Sequence, residues 1–249
     1  MENYRKRKAV IDGVRESGRL NTGLLDHIAG IIKEGMTTLE IDEIIYKETI
    51  KLGGVPATLN YDGYPRSLCT SINNQVCHGI PSKDIQLKDG DIINIDVSTC
   101  YRGYYSDSAR VFKIGRVSPE KKILVDVSKA CLEAGLSAVK PWVSLNEIGI
   151  KTAKLARKNK MTIARGIGGH GIGHKFHQSP YVSYDGLGMD LKMVPGMIFT
   201  IEPAVNFGRQ EVYEDASNGW TIYTVDGKPS AQWEVTVLVT ETGYEVLAY

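Results

Sequence analysis

Four carboxylates and one imidazole, spread along the chain, are the side chains best suited to act together. Asp96 lies in "DIINIDVSTCYRGYYSDSARVF", with Asp107 beyond a turn near Tyr101 to Gly103; Glu202 closes the apolar run in "MIFTIEPAV", and Glu234 opens the one in "AQWEVTVLVT". Two extended runs flanking that turn put Asp96 roughly opposite Asp107, at about 4.5–5.5 Å between Cβ atoms, where like charges destabilise. Carboxylates in such hydrophobic surroundings are rarely buried unless they are paired or bind a metal. Two alternatives stand beside that reading: each acid sits at a strand end in water, or Arg102 or Arg110 neutralises the aspartates. Four negative charges balance two divalent cations and leave neutral His170 as the nitrogen ligand. Oxygen-rich ligation with one imidazole suits manganese, iron(II), cobalt or zinc and does not choose among them.

The stretch "GGHGIGHKFHQSP" carries three histidines, His170, His174 and His177. Histidines at i and i+4 suggest the helical zinc-protease pattern, but that pattern needs a glutamate where Gly171 stands. Gly171 and Gly173 would each cost a helix roughly 1 kcal/mol relative to alanine, so extended or looped backbone is expected here.

These residues must be positioned by something, and the apolar spacing supplies it. Helical periodicity runs through Val10, Ile11, Val14, Leu20, Leu24, Ile28 and Ile31, and again through Ile123, Leu124, Val127, Leu132 and Leu136. Each run precedes a helix-start capping box, Thr37 with Glu40 and Ser144 with Glu147, and each box precedes a further apolar helix. Extended, turn-rich segments follow in both halves. Two rounds of helices then strands predict an α+β fold made by internal duplication, with helices packed on antiparallel sheet. We expect a single domain of two pseudo-symmetric halves, about 1–115 and 116–249, since no linker-like stretch separates them.

Composition removes other classes. A net charge of +1 over 249 residues argues against broad attraction to nucleic acid. The basic start "MENYRKRKAVIDG" lacks the apolar run of a secretion signal, and no later run has the length of a membrane span, so a cytoplasmic location is expected. Cys69, Cys77, Cys100 and Cys131 form no CxxC pair, which disfavours disulfides and a structural zinc site.

Taken in order, "VCHGIP", "INIDVS", "YYSDSARVF", "GHGIGHKFH", "TIEP" and "SAQWEVT" resemble the motif series of the type I methionine aminopeptidases, from about residue 10 to the C-terminus. The resemblance implies the pita-bread fold, a curved antiparallel sheet with duplicated helices shared with prolidase and aminopeptidase P. The bare type I form fits best, with neither a type II insertion nor an N-terminal zinc-binding extension. It also implies two divalent metal ions per chain, held by Asp96, Asp107, His170, Glu202 and Glu234, with Asp107 and Glu234 bridging. His78 and His177 would position substrate, Glu202 would shuttle the proton, and His174 would be a bystander. Tyr61, Tyr64, Cys69, Phe176 and Trp220 match the methionine pocket.

The implied activity is removal of the N-terminal methionine from nascent chains whose second residue is small, by metal-activated water. The expected partner is the nascent N-terminus, near the ribosome, and the protein is expected to be a monomer. Thr58 departs from the pattern, since many bacterial relatives have cysteine there. Asn73, Gln75 and Ser230 match positions that hold a monovalent cation in relatives. Two other readings are a prolidase or aminopeptidase P, cutting before proline, and a non-catalytic binding module on the same fold; the latter should have lost a ligand.

Overall fold

Helices form in two pairs where the apolar periodicity predicts them. The computed structural model describes residues 2–185, 188 and 190–249. The first pair is α1 (Glu2–Ala29) and α2 (Thr38–Lys51). The capping box of α2 is complete: the Thr37 hydroxyl accepts from the Glu40 N–H at 3.1 Å, and the Glu40 carboxylate accepts from the Thr37 N–H at 2.7 Å. Two of the orphan donors at the helix start are thereby satisfied.

The second pair is α3 (Pro119–Leu136) and α4 (Asn146–Lys158). Ser118 caps α3, with Pro119 at the first helical position. The expected box at Ser144 and Glu147 does not form. Leu145 occupies the cap of α4, and the Ser144 hydroxyl donates instead to the Asp190 carboxylate at 2.6 Å. The same hydroxyl oxygen faces the Asn146 N–H at 3.4 Å rather than the Glu147 N–H, so the helix starts without a box.

The first half contributes β1 (Val55–Pro56), β2 (Cys69–Ile72), β3 (Gln75–Cys77), β4 (Ile92–Tyr101) and β5 (Tyr104–Lys113). Strand β4 pairs β1 near its end, β2 near its start and β5 along its length. The second half contributes β6 (Thr162–Ile163), β7 (Gly169–Gly171), β8 (Gln178–Val182), β9 (Ile198–Ile201), β10 (Ala204–Asn206), β11 (Val212–Glu214), β12 (Ile222–Thr224), β13 (Ser230–Gln232), β14 (Val235–Val239) and β15 (Tyr244–Ala248). A five-stranded sheet runs β15-β14-β9-β7-β8, and two three-stranded sheets run β13-β10-β6 and β11-β12-β3. These pairings are antiparallel, which with the helices makes the fold α+β.

Alternation along β4 explains how the sheet serves two purposes. Ile93, Ile95 and Val97 are fully buried against Leu24, Leu25, Ile28, Ile41 and Ile45 of the first helix pair. With a side-chain period of two, Asn94, Asp96 and Ser98 must face the other way, toward the second half. There Leu132, Leu136 and Ile148 from the second helix pair pack on Phe199, Ile201, Val235 and Val237. The halves meet where Ala109 and Glu234 exchange backbone hydrogen bonds of 3.2 and 3.0 Å. No helix among the described residues is long and apolar enough to cross a membrane.

Candidate metal centre

The hairpin carrying the two aspartates differs in register from the expectation. Its turn is Arg102–Gly103, both at positive φ (52° and 82°), and Tyr101 pairs with Tyr104. Glycine tolerates that backbone without strain, and the two-residue turn fixes the ladder above it. Asp107 therefore faces Ser98, and Asp96 faces Ala109. The aspartates are diagonal neighbours on one face, not directly opposed.

The other three groups reach this face from the second half. His170 lies on β7, in the extended backbone expected of the glycine-rich stretch. Glu202 follows β9 and Glu234 precedes β14, as the apolar runs indicate. His170 Nε2 stands 3.7 Å from Asp107 Oδ2 and 3.8 Å from Glu202 Oε1. Asp107, His170 and Glu234 offer ligand atoms that all lie within 4.8 Å of one another.

Neighbours fix these side chains without neutralising them. Ser98 donates to Asp107 Oδ1 at 2.8 Å, Thr200 to Glu202 Oε1 at 2.7 Å, and the Gln232 amide to Glu202 Oε2 at 3.2 Å. His170 Nδ1 faces the Gly171 carbonyl at 3.1 Å; as an N–H donor there it directs Nε2 toward the acid oxygens, where a proton or a cation would meet its lone pair. The arginines are committed elsewhere, Arg110 to Asp26 at 2.7 Å and Arg102 to Glu16 at 3.5 Å. Neutralisation of the aspartates by arginine is thereby excluded.

The electrostatic consequence appears in proton affinities. Burial, then the charges of Asp107 and Glu202, pushes the Asp96 carboxyl well above its ordinary range. Burial and the same two charges do likewise to Glu234. Glu202 is pushed up to about 7 by burial, against the opposing pull of His170 and Thr200. Burial disfavours charge on His170, but Asp107 and Glu202 outweigh it and raise its proton affinity. Asp96 Oδ1 and Glu234 Oε1 are buried with no hydrogen-bond partner among the described residues. Unpaired carboxylate oxygens at this depth cost free energy unless a cation meets them, and an oxygen-rich set with one imidazole fits divalent ions.

The acids form the floor of a cavity of about 460 Å³. One end is aromatic. Tyr61 meets Phe176 edge-on at 4.9 Å, and Tyr64 meets Trp220 edge-on at 5.1 Å. The Tyr64 hydroxyl sits between the Leu68 and Gly79 carbonyls at 3.1 and 3.0 Å, leaving its ring to the cavity. Burial raises the Cys69 thiol well above its ordinary range, so it lines the pocket as a neutral group. Thr58 also lines the cavity, its hydroxyl oxygen buried and unpaired among the described residues.

The histidine triplet divides. His177 lies 4.1 Å from the His170 ring and 5.0 Å from the Tyr61 ring, inside the cavity lining. Desolvation by the cavity walls and neighbouring His170 lower its pKa to about 4, although the residue, like His174, is exposed to solvent. His78, at the wall near Trp220, is also exposed to solvent, and desolvation by the surrounding wall lowers its pKa against the opposing charges of Asp107 and Glu214. His174 is exposed, with its ring on Tyr104 and Nδ1 3.4 Å from the Gly103 carbonyl. Away from the acids, Ser230 N–H donates to the Asn73 carbonyl at 2.8 Å, and the Asn73, Gln75 and Ser230 side chains are spent on Asp91, Ile72, Tyr223 and Val205.

Sequence reasoning missed the residues that hold the acids: Ser98, Thr200 and Gln232. A signal existed, because each stands two positions from an acid of the centre and so faces the same side of an extended chain. Cys77 and Tyr181 also line the cavity and carried no comparable signal.

Comparison with known proteins agrees with this geometry. Residues 12–241 match the sequence model of metallopeptidase family M24. Methionine aminopeptidase A of Synechocystis sp. is 42% identical over 95% of this chain and 94% of its own. The crystal structure of methionine aminopeptidase from Rickettsia prowazekii superposes with a TM-score of 0.94 at 36% identity, covering 97% of this chain and 98% of that one. That from Thermotoga maritima gives 0.93 at 31% identity, covering 96% of each.

Proposed function

The chain belongs to metallopeptidase family M24, and from that membership we propose that it removes the N-terminal methionine of nascent proteins whose second residue is small. The observation that carries this is the contact between two opposite environments in one cavity: crowded acids with unpaired oxygens, and an aromatic end of thioether-binding character. Asp96, Asp107, His170, Glu202 and Glu234 hold two divalent cations in this reading, drawn from manganese, iron(II), cobalt or zinc. Such cations, when bound, supply Lewis acidity at a carbonyl and make water a stronger acid near neutral pH.

The chain's own side chains do the rest. Tyr61, Tyr64, Cys69, Phe176 and Trp220 receive the methionine side chain, and the free α-amine lies on the Asp96 side, which restricts cleavage to chain ends. His78 and His177, kept neutral by their surroundings, donate N–H groups to the scissile amide and to the oxygen that gains charge. Donors of this kind contribute about 2.7–4 kcal/mol each where they have been removed from other enzymes. Glu202, with both oxygens oriented by Thr200 and Gln232, delivers the proton to the leaving amine.

We further read the whole chain as one catalytic domain, acting as a cytoplasmic monomer on N-termini emerging from the ribosome. A short peptide panel tests the activity. Met-Ala-Ser, Met-Gly-Ser and Met-Ser-Ala should release methionine; release confined to bonds preceding proline would overturn the reading.

A further inference from the structure

One side chain of the cavity is used neither by the methionine pocket nor by the acid cluster. Tyr181 lies on β8 directly across from His170 on β7, so the two side chains rise from the same face of the sheet. Its ring is half exposed and lines the cavity beside Gly166, Ile167 and Gly168. A Cβ placed on Gly168 would come within 2.6 Å of the Tyr181 hydroxyl and 2.7 Å of its ring. The Val182 carbonyl approaches equally closely, at 2.5 Å, so only the bare backbone of Gly168 leaves room for the phenol to lie over this segment.

The course of a substrate follows from the lining. With its first side chain among Tyr61, Tyr64, Phe176 and Trp220 and its scissile carbonyl at the acid cluster, a peptide must leave along the remaining wall. The 166–168 segment and Tyr181 form the part of that wall next to His170, with Asp62, Cys77, His78 and Gln232 lining the rest. We propose that Tyr181, lying over Gly168, bounds the subsite for the residue after the scissile bond and so sets how large that residue can be. This inference rests on the aminopeptidase reading of the same cavity. It assigns a specificity role to a residue that touches substrate beyond the cleaved bond, and it takes no part in holding metal or moving protons.

The test compares kcat/KM for Met-Ala-Ser and Met-Leu-Ser in the wild-type holoenzyme and in Tyr181→Ala and Tyr181→Phe. Alanine should raise the Met-Leu-Ser to Met-Ala-Ser ratio by about tenfold or more, the scale on which apolar subsites discriminate size. Phenylalanine keeps the ring and should keep the wild-type ratio. A merely structural tyrosine would change both substrates equally, so an unchanged ratio in the alanine variant overturns the inference while leaving the aminopeptidase reading intact. Failure of wild type to release methionine from Met-Ala-Ser would overturn that reading, and this inference with it.

Discussion

The Thr236 hydroxyl bonds both backbone groups of Asp107: it accepts from the Asp107 N–H at 3.1 Å and donates to the Asp107 carbonyl at 2.7 Å. One side chain thus continues the ladder that Ala109 and Glu234 begin, and it locks an acid of the first half to the strand that follows an acid of the second. Thr236 is fully buried, so no water replaces it. Thr236→Val keeps the shape and strands both groups, at about 1–3 kcal/mol each. We expect lower stability in urea unfolding and weaker metal affinity by calorimetry, with Thr236→Ser close to wild type. Equal stability of the valine variant would show that this seam does not position Asp107.

Asp107 sits nearest the centre of the acid group, within reach of His170 and Glu234. Asp107→Asn removes one charge and one of two acceptor oxygens while preserving volume. Calorimetric titration with Mn(II) should show tight binding in wild type and its loss in the variant. Unchanged stoichiometry would remove Asp107 from the ligand set.

The histidine triplet allows an internal control. His174→Ala loses exposed contacts with the Tyr104 ring and the Gly103 carbonyl and should leave methionine release within about twofold of wild type, as surface substitutions usually do. His177→Ala removes the cavity histidine that the proposed mechanism uses as a donor and should lower kcat by about 10²–10³. Comparable losses in the two variants would mean that the triplet is wrongly divided.

Chelated protein should carry the signature of its crowded acids. Folding raises Glu202 from an ordinary 4.5 to about 7, and raises Asp96 and Glu234 further, so the folded chain retains protons that the unfolded chain has released. Stability of the metal-free protein should therefore fall as pH rises through about 7. His177, lowered to about 4 from 6.5, acts in the opposite sense, but only below pH 6.5. Urea midpoints measured with chelator from pH 6.5 to 8 should decline, and saturating divalent metal should abolish the decline. A flat profile with chelator would mean the acids are not crowded.

Much of this arrangement was legible in one dimension because strands and helices have simple periods. The apolar runs located Glu202 and Glu234 at strand ends, and the glycines of 168–173 correctly argued against a helix at His170. Three features were not legible for separate physical reasons. The pairing of Asp96 with Ala109 depends on Arg102 adopting positive φ, which its side chain does not announce. Ser144 bonds Asp190, distant in sequence, and Leu145 takes the cap position of the helix, a tertiary contact that local spacing does not announce. Tyr181 became visible only once the sheet placed it across from His170 and over Gly168.

The central claim is that the convergence of Asp96, Asp107, Glu202 and Glu234 is balanced by two doubly charged cations that the activity needs. Elemental analysis after dialysis, on protein titrated with each candidate ion while methionine release from Met-Ala-Ser is followed, tests it most directly. The account predicts about two equivalents per chain at saturation and activity that rises with occupancy, from the charge balance of the site. Full activity in protein stripped of divalent metal would contradict it.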